Sequence, residues 1–207
     1  MEVTNFQTEL NGLFDRPRSA ADIDDYLLSR GQWKKLADEV MPVSRFLRFR
    51  EVESGRIRFP LDSHSLDAWL WRDGLSQHVE IEVTVAQGTA RFRLNKELVD
   101  TGEGRGFIGV SDDAPKSEFD SALSELREMS STEQVLSAYR DGFFRCLDKK
   151  DKQKFCGAIL VIQASLYVLP RERWETIADA VRTRAAGLPF QEAYVICDHK
   201  PWGFQIK

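Results

Sequence analysis

The chain has 207 residues, 33 acidic against 29 basic side chains, a net charge of −4 and a hydrophobic share of 42%. Those values exclude a disordered chain and a collagen-like repeat, and the length suits one domain with a sizeable core. The acidic balance weighs against strong non-specific nucleic-acid binding, so any such binding must come from a local basic patch. The most apolar run, residues 157–168, is broken by Gln163 and Ser165. It falls short of the roughly 20 residues of a membrane span, so no membrane association is expected. Met-Glu-Val-Thr at the start lacks the basic patch and apolar run of a secretory signal. Cys146, Cys156 and Cys197 are odd in number and far apart, which suits reduced thiols, and a cytoplasmic location is the expectation.

In chain order, residues 20–40 read as a helix that buries Tyr26, Leu27, Trp33, Leu36, Ala37 and Val40, interrupted at Gly31 and closed by Pro42. Residues 45–59 alternate, with Leu47, Phe49, Ile57 and Phe59 against Arg48, Arg50, Arg56 and Arg58. The alternation predicts a β-hairpin with an arginine-lined face. Strands are expected over 67–72 and 78–85, joined at Asp73-Gly74. On the second, Val79, Ile81, Val83 and Val85 share one face while Glu80, Glu82 and Thr84 share the other.

The glycine-rich stretch 88–116 reads as a long loop with a short strand at 90–94. A short helix over 117–128 and a longer one running from Ser131 to about Phe155 follow, the latter capped by Ser130 or Ser131. Leu136, Tyr139, Phe143 and Leu147 form its apolar stripe, and Lys150 extends that stripe with a charge. The remainder reads as strand (158–164), helix (171–186) and strand (192–197), the alternation of a parallel or mixed sheet. The expected fold is thus α/β (α+β): one domain, 1–207, with a central mixed β-sheet flanked by helices. Its parts are helical 1–44, β-rich 45–94, a glycine-rich loop 95–116 and an αβαβ part 117–207.

Gly104-Arg105-Gly106-Phe107-Ile108-Gly109 matches the dinucleotide fingerprint by letter. That fingerprint must open a helix onto a pyrophosphate, whereas here Ser111-Asp112-Asp113-Ala114-Pro115 follows, with carboxylates in place of phosphate. The Cys and His residues lack the paired spacing of a structural zinc site. The run Lys149 to Lys154 suits a solvated helix end for Lys149 and Lys152, but the stripe turns Lys150 towards the sheet.

The constellation with most chemical content is Asp67 on one strand and Glu80 and Glu82 on the next. The hairpin brings Asp67 alongside the glutamates, concentrating negative charge that solvent, protonation or a cation must relieve. Oxygen-rich clusters of this kind suit Mg²⁺ or Mn²⁺. A solvated outer face of an antiparallel sheet is the competing reading of the same residues. Trp69 and Trp71 lie on the Asp67 face, as core or as a contact surface.

Helix, hairpin, Asp-bearing strand, Val-Glu-Ile-Glu-Val-Thr strand, Lys-bearing helix and closing Leu-Val-Ile strand, over about 20–207, together resemble the PD-(D/E)XK nuclease superfamily. The resemblance implies a restriction-endonuclease-like core and metal-dependent hydrolysis of DNA phosphodiesters. Asp67 and Glu82 would be the metal ligands, Glu80 a further acid, and Lys150 the catalytic lysine. Gln87 would orient substrate or water, and Arg48, Arg50, Arg56 and Arg58 would bind substrate. Two departures stand out: no Lys lies two residues beyond either glutamate, and Pro60 is closer to Asp62 than to Asp67. Either the lysine function has moved to Lys150, or the fold persists without catalysis as an immunity, inhibitor or adaptor protein that binds a protein partner.

Overall fold

One mixed sheet of six strands, laid down in chain order, organises the chain: β1 (Arg56–Arg58), β2 (Ala68–Trp71), β3 (His78–Val85), β4 (Ile159–Ala164), β5 (Glu192–Cys197) and β6 (Gly203–Gln205). The computed structural model describes residues 1–61, 66–74, 77–104, 106, 110–124 and 129–207. β1, β2 and β3 form an antiparallel meander, β3, β4 and β5 run parallel, and β6 returns antiparallel to β5. Parallel neighbours need long crossovers. Here α5 (Gly88–Thr101), α6 (Lys116–Ser124) and α7 (Thr132–Lys150) connect β3 to β4, and α8 (Arg171–Ala185) connects β4 to β5.

Both faces of the parallel half are covered, which is why β4 reads as an unbroken apolar run and is buried along its whole length. Leu160 and Ile162 pack with Phe143 and Leu147 of α7 and Trp174 and Val181 of α8. On the other face Ile159 and Val161 pack with Phe6 and Leu10 of α1 (Val3–Asp15) and with Val43, Phe46 and Leu47 of α4 (Met41–Phe49). A glycine is required at the entry to β1, where Gly55 takes φ of +102° and a side chain would collide with the Trp71 carbonyl.

The structure corrects several expectations. Residues 45–49 belong to α4, so the arginine-lined hairpin does not form, and β1 stands alone before β2. Val43, Phe46 and Leu47 supply the i, i+3, i+4 spacing of a helix face, and a short alternating run is compatible with either period. Pro42 does not close the preceding helical region: α2 (Ala20–Leu27) and α3 (Gln32–Lys35) are followed by a π-helical turn, Leu36–Val40, and Pro42 sits in the first turn of α4, where its missing N–H is tolerated.

The stretch after β3 is helical over α5, without the strand expected at 90–94; the Asp112 carboxylate accepts from the Thr89 and Ala90 amides at 2.7 and 3.2 Å and caps its start. α7 starts at a capping box between Ser131 and Gln134 and stops at Lys150, earlier than expected. α1 falls within the helical part expected over 1–44, and β6 is an addition to the expected strands. Arg105 and residues 107–109 of the glycine motif lie outside the described residues. Among the described residues no helix is long and apolar enough to cross a membrane, and all three cysteines are free thiols.

Candidate active site

Register places Asp67 beside Glu82. Ala68 pairs with Ile81, and the Asp67 amide donates to the Ile81 carbonyl at 3.0 Å, carrying the β2–β3 ladder one residue further. There the chain leaves the sheet, and the Asp67 carboxylate takes over, with Oδ2 accepting from the Val83 amide at 2.7 Å. The side chain that ends the strand is therefore fixed in orientation by the sheet itself.

Lys150 reaches Glu82 from the opposite layer. Its ammonium donates to Oε1 of Glu82, which is only 4% exposed. The match of α7 to β3 explains why. Thr84 lies two residues beyond Glu82 on the same face of β3, and its hydroxyl lies 3.9 Å from the Cys146 sulfur. One helical turn on, Lys150 meets Glu82. Four helical residues rise about 6 Å and two strand residues about 6.6 Å, so the two ladders stay in step. The last turn of α7 thus lies over β3 and brings the Lys150 ammonium to the buried glutamate.

The charges around this pair are not balanced. Burial, and then the neighbouring Glu82 carboxylate, push the Asp67 carboxyl up to about 6. Burial also pushes Glu82 up, although Lys150 pulls it down. Glu39 of the π-helical turn is raised by burial and by Asp67, and its Oε2 lies 3.3 Å from the Lys35 ammonium, which also donates to the Pro60 carbonyl. Glu82 Oε2 is buried with no hydrogen-bond partner among the described residues. Among the described residues no three carboxylate, imidazole or thiol groups form a ready cage for a metal ion.

The other sequence-derived candidates divide. Glu80 lies on the same face as Glu82 but towards solvent, 3.8 Å from the His78 imidazole. Arg58 pairs in register with Trp69 and Arg56 with Trp71, so both arginines share the face of Asp67 and Glu82, with the Arg58 guanidinium over the Trp69 ring. Arg48 and Arg50 lie on the opposite side of the sheet. Arg48 bonds Gln7 and Asn11 of α1, and Arg50 stacks over Tyr194. The four arginines therefore do not form one ribbon, because two belong to a helix and two to a strand. Gln87 lies beyond the end of β3, in a left-handed conformation at the start of α5, and lines a separate cavity.

Sequence reasoning missed Glu39 and Lys35. Lys35 ends α3 and Glu39 lies in the π-helical turn that follows, and only the folded chain brings them close enough to Asp67 to influence its charge. Compared with family models, with curated proteins and with solved structures, the chain finds no match.

Proposed function

We propose that the protein hydrolyses nucleic-acid phosphodiester bonds with a divalent cation, on a sheet of the restriction-endonuclease type. The observation that carries this reading is the meeting of Asp67 from the start of β2, Glu82 from β3 and Lys150 from the end of α7. Asp67 and Glu82 are the residues that would hold Mg²⁺ or Mn²⁺. The donor set fits, because Mg²⁺ is commonly bound by one or two carboxylates while keeping several waters. The unpartnered Oε2 of Glu82 and the raised Asp67 carboxyl are the groups a cation would relieve.

When bound, such an ion lowers the pKa of a water and offsets charge developing on the phosphate. Lys150 holds Glu82 in place and presents an ammonium to an attacking hydroxide or a non-bridging phosphate oxygen. Glu39 and Glu80 supply further negative charge around the two ligands. Arg56 and Arg58 carry positive charge for the phosphate backbone, and Trp69 and Trp71 on the same face offer stacking area.

The test is incubation of plasmid and single-stranded DNA with the protein in Mg²⁺ or Mn²⁺. Cleavage is expected, lost in EDTA and lost in Glu82→Gln and Asp67→Asn proteins that stay folded. Cleavage untouched by both substitutions contradicts the assignment. One observation favours a non-catalytic interaction protein instead: Lys150 already neutralises Glu82 internally. Folded protein that neither binds Mn²⁺ nor cleaves would establish that reading.

A further inference from the structure

A second polar site lies at the other end of the parallel strands. A cavity of about 660 Å³ opens where β3, β4 and β5 end, bounded by Gln87, Ser165 and Asp198 from the three strand ends. This volume is that of a site for a small organic molecule.

Its lining includes a cation that forms no salt bridge among the described residues. Arg45 of α4 is partly buried, and its Nη1 donates at 2.5 Å to Oε1 of Gln163, a side chain of β4 that is fully buried. Among the described residues Arg45 forms no salt bridge within 4 Å, and burial pulls its pKa down, with Tyr26 and Asp198 opposing. Gln163 is itself under-satisfied, since its Nε2 has no partner among the described residues. Evolutionarily cheaper apolar packing would fill such a position, because a buried cation with neutral partners is costly.

The carboxylates nearby are already engaged. Asp198 accepts from the Ser165 hydroxyl at 2.6 Å, and Asp38 is held by Lys34 at 3.1 Å and by Arg91 at 3.9 Å. The lining thus sets three cations, Lys34, Arg45 and Arg91, against two carboxylates, and adds the hydroxyls of Tyr26, Thr89 and Tyr139.

We propose that this cavity binds a small phosphate monoester of mononucleotide size, with its phosphate on Arg45 and its organic body among the hydroxyl and aromatic groups of the rim. A guanidinium fork matches a phosphate with two parallel hydrogen bonds, and the volume leaves room for far more than the anion. The site is independent of the Asp67 and Glu82 pair and stands or falls separately from the hydrolase reading.

The experiment is calorimetric titration in EDTA with adenosine monophosphate, adenosine and inorganic phosphate, on the full chain carrying Glu82→Gln so that the other site is silent. Adenosine monophosphate is expected to bind in the micromolar to millimolar range, and adenosine at least about tenfold more weakly. Arg45→Met, checked for folding by circular dichroism, is expected to cost about tenfold or more. Ala90→Trp, which fills the cavity and leaves the Arg45–Gln163 bond in place, is expected to block binding and keeps the test decisive should Arg45→Met fail to fold. No heat from adenosine monophosphate at millimolar concentration overturns the proposal. So does adenosine binding as tightly as its phosphate, inorganic phosphate binding alone, or binding that survives both substitutions.

Discussion

Glu82 in β3 and Arg45, which reaches β4 from α4, are charged groups drawn largely out of water, yet Glu82 meets a cation while Arg45 meets a neutral amide. Around Glu82 the surplus is negative, since Asp67 and Glu39 share a neighbourhood in which Lys150 and Lys35 are already engaged. Around Arg45 the surplus is positive. Two regions of the molecule thus carry unbalanced charge of opposite sign, negative around Glu82 and positive around Arg45. Burial alone does not distinguish them; the identity of the nearest partner does.

The largest expected effect breaks the first site at its ion pair. Lys150→Met strands the Glu82 carboxylate in the interior, and removing one partner of a buried pair costs about 3 kcal/mol or more. Urea unfolding at pH 7 should show that loss, and the double variant Lys150→Met with Glu82→Gln should recover most of it. A loss under about 1 kcal/mol would mean that water reaches Glu82 and that its surroundings differ little from those of Arg45.

Next in size is the cost of ionising Asp67. Its folded-state pKa of about 6 lies above the ordinary 3.8, so the folded protein binds the proton more tightly than the unfolded chain. Stability from this group is therefore present below about pH 4, declines as pH rises to about 6, and is fully lost above. In EDTA, Asp67→Asn should stabilise the protein by roughly 1–3 kcal/mol at pH 8 and by almost nothing at pH 4, with the Val83 amide still accepted by the new side-chain oxygen. Equal effects at both pH values would show that Asp67 is not strained by its surroundings.

The smallest effect sharpens the comparison from the other side. Arg45→Met removes a desolvated cation and the hydrogen bond to Gln163 together. These changes oppose one another, so the net change in unfolding free energy should stay within about 1 kcal/mol. A loss as large as that of Lys150→Met would make Arg45 a structural cation.

Much of the first site was legible in the sequence, for reasons that particular residues show. β3 and β5 are evident because strand periodicity and apolar runs are strong signals, and Lys150 stands out because a charge on an otherwise apolar helical stripe must find a partner. The Asp67–Glu82 juxtaposition followed from the hairpin. What failed was local: Leu47 and Phe49 alternate with Arg48 and Arg50 in a segment too short to separate strand from helix, and the core of α4 decided it. The region after β3 looks like loop in the sequence because its glycines and charges mask a helix that the distant Asp112 caps. The Arg45–Gln163 pair joins residues 118 positions apart and leaves no sequence pattern.

The central claim is that Asp67 and Glu82 together capture a hard divalent cation. Titration of Mn²⁺ into the protein, followed by calorimetry and repeated on the Asp67→Asn, Glu82→Gln double variant, tests it most directly. The account predicts one bound ion per chain, with proton release below about pH 6, and no binding in the variant. An undiminished isotherm in the variant, or none in the unaltered protein, would contradict it.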